Sequence, residues 1–204
     1  MKIGDIKIEA IKLMFTNYGF DMGIEDLSKM LADENYSSYI VNMNGSIARA
    51  LDRIENACVL PLKRKEITLA DCDAGSHNSI FDTAKIDDLF VIDRVTAEYG
   101  KGSYCGNIGF ELEGDILILP YAEKYTILYY PTIKTIDNSV QDSDDIWIPD
   151  KIARLIPYFI KGELYQEEEP SLAADARNLF EASLDDLKQQ TQSKQDYVHK
   201  VYRM

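Results

Sequence analysis

Acidic side chains at short spacing are the residues of this sequence with the clearest capacity for chemistry. The stretch Asp71-x-Asp73-x-Gly75 matches the opening of a calcium-binding loop, in which alternating carboxylates and a glycine turn surround a hard cation. A complete loop would need a bidentate Glu near residue 82, where this chain has Asp82, and helices on both sides, which the pattern does not predict. We therefore expect an ordinary acidic turn and no metal ion.

Two further acidic clusters lie near the carboxyl end. Asp142, Asp144 and Asp145 have the composition of a metal site or of the paired acids of a hydrolase. Paired catalytic acids must face a shared cleft, and nothing in this spacing places them on one, so a solvated linker is favoured. The run Glu167–Glu169 is interpreted in the same way, although at a helix end it can pair with neighbouring basic residues.

Thiol and hydroxyl nucleophiles are also present. A catalytic cysteine needs a base within hydrogen-bond reach and a third group that orients the base, and the spacing of Cys72 and His77 indicates neither. Ser76 does not lie in a GxSxG elbow. With Cys58 and Cys105 the cysteines are odd in number and form no CxxC pair, so we expect reduced thiols. Zinc binding is not expected, because the chain has only two histidines.

Glycines and aromatic residues each concentrate locally. The glycine spacing is not that of a phosphate-binding loop and is typical of turns between strands, at Gly100, Gly102, Gly106 and Gly109. Four aromatic residues have the composition of a platform for sugars or bases, namely Tyr121, Tyr129, Tyr130 and Trp147. No basic residues are interleaved among them, which disfavours stacking on nucleic acid, and we expect these side chains to be core.

Composition limits the partners. The 204 residues carry a net charge of −13, which repels nucleic-acid phosphates and argues against DNA or RNA binding through a basic patch. The chain is long enough for one domain or two small ones. No apolar run is long enough for a signal peptide or a transmembrane helix, so we expect a cytosolic protein with no membrane partner.

Helical periodicity dominates residues 1–60. Apolar residues spaced three and four apart predict helices over 3–16 and around Ile24–Leu31. A brief helix is expected from Asp33 to Ile40, with a break at Asn42–Gly45. A further helix follows over 47–57, and its polar face carries Arg49, Asp52, Arg53 and Glu55. These elements predict the N-terminal part of a helical bundle.

From Pro61 the apolar period changes from about 3.6 to 2, which predicts an inserted antiparallel β-rich domain over residues 61–147. We expect about four strands, with a hairpin that turns at Glu113–Asp115 and a loop or irregular excursion over 70–88. The segments with strand character are 65–69, 90–99, 108–112, 116–119 and 125–130.

Residues 148–192 predict two amphipathic helices that complete the bundle, joined by the acidic turn Glu167–Pro170. Pro157 removes one backbone hydrogen bond inside the first of them, so a kink rather than a break is expected there. The last helix is predicted to end near Gln192. Residues 193–204 are expected to form a flexible tail.

This order of elements resembles the head–tail adaptor (connector or head-completion) proteins of tailed bacteriophages. The residues that carry the resemblance are Ser46–Glu55, the stretch IPDKIARLIPYFIKGELYQEEEP from Ile148, and the Leu172–Leu187 helix. Adaptors commonly have a Pro-x-x-h-x-x-h-h-Pro-Tyr-like helix, an acidic break and a last helix of this kind. The β insertion is larger than in the small all-helical adaptors and looks closer to the adaptors of short-tailed phages.

The resemblance implies a structural virion protein that is not an enzyme and has no cofactor. It would form a ring, typically of twelve copies, that docks beneath the portal protein after DNA packaging, extends the DNA channel and offers a platform for the next neck or tail protein, a stopper, nozzle or tail. The expected location is the neck of the virion, and the host cytoplasm during assembly.

The net negative charge and the C-terminal tail are compatible with DNA passage and with docking on a partner. Twelve copies would carry about 150 negative charges, and a channel wall of negative potential would let DNA pass without specific binding. The tail has the composition of a segment that orders on docking against a partner, which makes Tyr197, Val198, Val201 and Tyr202 the candidate partner-binding residues.

Two other classes remain open. A carbohydrate-active or carbohydrate-binding protein built on the central sheet, with Asp or Glu as its acids, predicts a monomer with a cleft. An acidic mimic of DNA predicts tight binding to a basic nucleic-acid enzyme.

Overall fold

The computed structural model describes residues 1–15, 22–74, 78–100, 105–136 and 140–201, and it divides into two compact units. Unit 1 combines Met1–Val59 with Ile133–Met204, and unit 2 comprises Leu60–Thr132. The α+β class is as predicted, with helices at both ends of the chain and antiparallel sheets between them. The inserted unit ends at Thr132, whereas the sequence predicted its end at residue 147, and unit 1 resumes at Ile133.

Unit 1 is a bundle built from both ends of the chain. Its α1 and α3 pack against α5, and α5 packs against α6, which confirms that the C-terminal helices complete the N-terminal bundle. The helices of the described residues are α1 (Ile3–Met14), α2 (Ile24–Leu31), α3 (Ser37–Asn56), α4 (Asp150–Ala153), α5 (Ile156–Leu164) and α6 (Pro170–Val201). The fully buried core includes Ile6, Ile11, Met43, Ile47, Ile54, Ile156, Ile160 and Phe180.

Helix α3 runs without interruption through Asn42–Gly45, so the predicted break there is wrong. Met43 is completely buried, and its packing outweighs the weak helix propensity of its neighbours. The Asn42 side chain donates from Nδ2 to the Ser38 carbonyl at 2.8 Å, a bond that is compatible with a continuous helix.

The helix predicted around Pro157 is divided into α4 and α5, where only a kink was expected. Pro157 lies in the first turn of α5 and has no N–H to donate to Ala153. Backbone hydrogen bonds between residues three apart span the junction, from Leu155 N to Ile152 O at 3.0 Å and from Tyr158 N to Leu155 O at 3.1 Å. The missing donor therefore ends one helix and begins the next.

The acidic segment before α4 is bonded to the start of α1 and is not simply a solvated linker. Ile3 N donates to Asp144 O at 3.0 Å, and Gly4 N donates to Asp142 O at 2.9 Å. These two N–H groups lie in the first turn of α1, where a helix offers them no internal acceptor. Ile146 is buried, which fixes the segment further.

Unit 2 contains two antiparallel sheets, where one sheet of about four strands was predicted. The sheet orders are β1-β8-β4-β5 and β2-β3-β7-β6. The strands are β1 (Lys63–Thr68), β2 (Asp73–Ala74), β3 (Asn78–Asp82), β4 (Leu89–Glu98), β5 (Cys105–Ile108), β6 (Glu111–Glu113), β7 (Ile116–Pro120) and β8 (Lys124–Pro131). Both sheets supply one core, which includes Ile67, Phe81, Val95, Leu117, Leu119, Tyr125 and Ile127.

Two differences in unit 2 have a common cause. The predicted loop over 70–88 contains β2 and β3, and Phe81 of β3 pairs with Leu117 on the core side of the sheet. The strand predicted over 108–112 is split between β5 and β6, which belong to different sheets. In both places the chain passes from one sheet to the other and forms short strands there, and so few residues cannot establish a period of two. The β6–β7 hairpin is confirmed, with Gly114 at a φ of +60°.

The two sheets share one core and form a sandwich. The connections between the sheets show which edge strands lie at the same lateral side of this sandwich. A single 3₁₀ turn, Leu69–Asp71, joins edge strand β1 to edge strand β2, so these two strands share one side. Gly109 and Phe110 alone join β5 to β6, so those two edge strands share the opposite side. Among the described helices, none combines the length and apolar content needed to cross a membrane.

Candidate functional site

The candidate partner-binding residues lie at the carboxyl end of α6. This helix continues to Val201, past the end predicted near Gln192, so Tyr197, Val198 and Val201 have helical backbone. Their side chains lie outside what the structure describes, as does the whole of Tyr202. The site is therefore defined by the helix that presents it and by how that helix is held.

Close backbone approach holds α6 against α5. A Cβ added to Gly162 of α5 would lie 2.5 Å from Arg177 Cγ and 3.3 Å from Ala173 O. The rings of Phe159 and Phe180 meet edge to face with centroids 5.0 Å apart. Glycine at residue 162 is thus a steric requirement of the helix pair.

Two-point ion pairs join α3 to both C-terminal helices. Arg49 donates to Glu163 of α5, with Nε–Oε1 at 2.8 Å and the terminal nitrogen–Oε2 distance at 2.6 Å. Arg53, one turn later, donates to Glu181 of α6 at 2.9 and 2.7 Å. The hydrogen bonds that each guanidinium donates to its carboxylate raise the pKa of that guanidinium. The predicted polar face of α3 is therefore an intramolecular contact surface.

The carboxyl end of α1 is capped by side chains of α5 and the turn after it. Lys161 Nζ donates to Leu13 O at 2.9 Å, and the Tyr165 hydroxyl donates to Met14 O. Helix ends expose unpaired carbonyls, so these donors replace the next helical turn. Phe15 lies edge to face against Tyr165, with centroids 6.2 Å apart. Tyr39 adds a second ring, 5.2 Å from Phe15.

The acidic turn takes part in this cluster through Glu168, which accepts a hydrogen bond from the Tyr39 hydroxyl. Burial, followed by the hydrogen bond to Glu168, raises the pKa of Tyr39 well above its ordinary value. Burial and the charges of Glu168 and Glu169 also raise the pKa of Tyr165. The turn predicted as an acidic break is thus a fixed junction between α3 and the last two helices.

The calcium-like stretch has a structural role. Asp71 Oδ2 accepts from Thr68 N at 2.8 Å and from Thr68 Oγ1 at 2.9 Å, and these bonds hold the pKa of Asp71 below its usual range. Asp73 forms β2, and Gly75 lies outside the described residues. Within those residues, no three His, Cys, Asp or Glu side chains are grouped to hold a metal ion.

The Cys72 thiol is not activated as a nucleophile. Burial, followed by the charge of Asp71, raises the pKa of the Cys72 thiol, which is the opposite of what a nucleophilic cysteine requires. Neither Cys58 nor Cys72 is part of a disulfide where the structure describes the chain. Ser76, His77 and the side chain of Cys105 lie outside the described residues.

The four aromatic residues that the sequence predicted to be core are divided between core and surface. Tyr129 and Tyr130 are buried, as predicted, and Tyr129 donates to Asp88 Oδ1 at 2.9 Å. Burial, then this hydrogen bond, raises the pKa of Tyr129 to about 12. Tyr121 is 63% exposed and Trp147 62% exposed, so their assignment to the core is wrong. They belong to different units and lie outside the strands, Tyr121 directly after β7 and Trp147 in the segment before α4, where alternation does not predict burial.

Each unit also has an open groove. In unit 1 a groove of about 560 Å³ between α1 and α5 is lined by both signs of charge, including Asp5, Glu9, Lys12 and Arg154. In unit 2 a smaller groove of about 260 Å³ includes a single carboxylate, Glu111, in its lining. Among the described residues that line this smaller groove there is no second carboxylate of the kind that a two-acid hydrolase requires.

Several of these contacts were missed from the sequence. Lys7 is 5% exposed, and its Nζ lies 2.6 Å from Asp142 Oδ1. Its position between Ile6 and Ile8 in the apolar stripe of α1 was the available signal, because a buried cation requires a partner. The partners Glu163 and Glu181 gave no comparable signal, since they look like ordinary exposed acids.

In comparisons with known proteins, no protein-family model matches this chain, and no curated protein matches it.

Proposed function

We propose that this chain is a structural virion protein, a head–tail adaptor of a tailed bacteriophage that forms a ring beneath the portal. The observation that carries the proposal is the discontinuous bundle of unit 1, in which α5 and α6 pack against helices from the beginning of the chain while a separate β unit is inserted between them. This is the arrangement that the resemblance of the two terminal helical segments implies.

The contacts of the C-terminal helices support a platform role. A docking element that bears load needs its helices fixed to the rest of the subunit, and two-point Arg–carboxylate pairs provide directional links. Arg49–Glu163 and Arg53–Glu181 fix α5 and α6 to α3 in this way. The end of α6 would then present Tyr197, Val198 and Val201 from a rigid base.

Net charge supports passage of DNA without specific binding. At −13 per chain, a ring would repel phosphates along its lumen, and repulsion prevents adhesion of a moving duplex. The proposed partners are the portal protein, a second copy of the chain, and the next neck or tail protein. The ring, expected to contain twelve copies, would be found in the virion neck after assembly in the host cytoplasm, with no cofactor and no enzymatic step.

Electron microscopy of the purified protein mixed with portal rings of the same phage tests the proposal. We expect a second ring stacked coaxially on the portal. An acidic protein of similar size and charge serves as the control, because it reports attraction by charge alone. Absence of any added density at saturating protein contradicts the adaptor function, as does equal binding by the control.

A further inference from the structure

Unit 2 exposes two edge strands of opposite charge. Strand β1 pairs only with β8, and β6 pairs only with β7, within the part of the chain that the structure describes. Edge strands carry unpaired backbone donors and acceptors that can bind another strand. Each of these two edges is therefore able to extend its sheet.

The acidic edge is β6, whose three residues Glu111, Leu112 and Glu113 are all exposed. Leu112 pairs in register with the buried Leu117, so it points toward the core side of its sheet, yet it is 51% exposed. An apolar side chain between two carboxylates lies open at the margin of the sandwich. Among the described residues, no further strand covers that margin.

The basic edge is β1, which begins Lys63-Arg64-Lys65. Glu66 is balanced by Arg64 and by Lys124, whose Nζ lies 2.6 Å from Glu66 Oε2. Lys63 pairs with Asp88. Asp71, in the turn after β1, adds a third carboxylate that interacts with Lys65. The four cations still exceed the three carboxylates, so the edge keeps a positive excess in a chain whose net charge is −13.

The two edges lie on opposite sides of the sandwich, because β1 shares its side with β2 and β6 shares its side with β5. Contact between two β6 edges or two β1 edges would oppose like charges, whereas β6 against β1 pairs unlike charges. A contact between two different surfaces of identical subunits is heterologous and repeats from copy to copy, as a ring requires.

We propose that β6 of one copy docks on β1 of the next copy, so that the edge strands of unit 2 form the subunit contact. Main-chain pairing supplies the attachment, and the negative charge of Glu111 and Glu113 selects the basic edge of β1. As an interface within the adaptor ring this inference rests on the proposed function, but the contact itself depends only on the two edges.

A charge swap tests the contact. One variant carries Glu111→Lys and Glu113→Lys, so both of its edges are basic. The other carries Arg64→Glu and Lys65→Glu, so both of its edges are acidic. Each alone should associate at least about tenfold more weakly than the unchanged chain in sedimentation velocity at low salt, and an equimolar mixture should recover association.

The matched control is Glu25→Lys with Glu34→Lys, which makes the same change in net charge at exposed residues of unit 1. We expect it to associate like the unchanged chain. The proposal is overturned if the chain stays monomeric at all concentrations, if the single variants associate normally, or if the mixture does not recover. A chain that stays monomeric would mean that these charges only protect the edges from aggregation, and normal association of the single variants would mean that the copies meet through another surface.

A test of binding to portal rings distinguishes failure of the edge contact from failure of the proposed adaptor function. If the swap behaves as expected but the protein does not dock on portal rings, the edge contact stands and the adaptor function fails. If docking occurs and the swap has no effect, the function stands and the copies meet through another surface.

Discussion

Lys7 on α1 and Asp142 in the segment before α4 form an ion pair across 135 residues of sequence, with 2.6 Å between Nζ and Oδ1. The two side chains are unequally buried, since 7% of the lysine side chain is exposed and 32% of the aspartate. Removing the aspartate should therefore change the stability of the protein by a different amount from removing the lysine.

We expect Asp142→Ala to lower the free energy of unfolding by about 3 kcal/mol, because it leaves a buried ammonium without a counter-charge. Lys7→Met should cost less than about 1.5 kcal/mol, since the remaining carboxylate can be hydrated and the new side chain fills the space. Denaturant unfolding followed by circular dichroism measures both. Equal losses for the two variants would contradict the assigned burial.

Glycines in two helices should respond oppositely to alanine. Gly162→Ala should destabilise by about 1–3 kcal/mol, because its Cβ would overlap Arg177 and press on the backbone of α6. Gly45→Ala in α3 should stabilise by up to about 1 kcal/mol, since its nearest neighbour is the Arg49 guanidinium at 3.4 Å. Thermal unfolding of both variants checks this, and a stabilising Gly162→Ala would argue against close packing of α5 on α6.

A double-mutant cycle on Arg53 and Glu181 should give a coupling energy of about 0.2–1 kcal/mol, because both side chains are about half exposed. The coupling should decrease as salt is added. Asp52→Ala, at the adjacent exposed residue of α3, controls for changes in helix charge. A coupling that is zero at low salt would mean that the pair does not help fix α6.

Alkaline pH should weaken unit 2 through Tyr129. Its pKa is raised from 10.0 to about 12, so the folded protein holds the phenol proton more tightly than the unfolded chain does. The resulting stability is present below pH 10 and is lost as the pH rises toward about 12. Melting temperatures across this range should fall less steeply for Tyr129→Phe. Some slope should remain, because the pKa values of Tyr39 and Tyr165 are also raised. If the melting temperature of Tyr129→Phe falls as steeply as that of the unchanged chain, Tyr129 does not cause the loss of stability at alkaline pH.

Truncation after Gln192 should weaken attachment to portal rings without unfolding the bundle, because the buried residues of α6 at Ala173, Ala176, Phe180 and Leu184 are retained. Co-sedimentation with portal rings measures the attachment. Lys194→Ala with Gln195→Ala keeps the apolar tail residues and serves as the control. Normal attachment of the truncated chain would exclude Tyr197, Val198, Val201 and Tyr202 as the docking residues.

The elements that the sequence predicted well are those whose packing follows one simple period. Ile47, Leu51 and Ile54 define the buried side of α3, and the alternation around Ile127 defines β8. The order of helices, strands and helices followed from these segments. It was sufficient for the fold class.

What the sequence did not predict depends on tertiary contacts. Packing of Met43 carries α3 through the asparagines and glycine that a local rule marks as a break. Likewise, Phe81 makes β3 a core strand although its neighbours are typical of turns. The partners of Arg49 and Arg53 lie more than a hundred residues away, and no pattern of spacing connects a cation to one particular acid among 35.

The chain leaves unit 1 after α3 and re-enters it at Ile133, whose N–H donates to Oε1 of Glu55 near the end of that helix. For the bundle, the departure and return of the chain are thus separated by one hydrogen bond, and everything between them is topologically a closed loop. The entropy of closing a loop grows only with the logarithm of its length. The bundle should therefore accept inserts of very different size at this position, so that the inserted unit can diverge, shrink or be exchanged while the helices of unit 1 keep their arrangement.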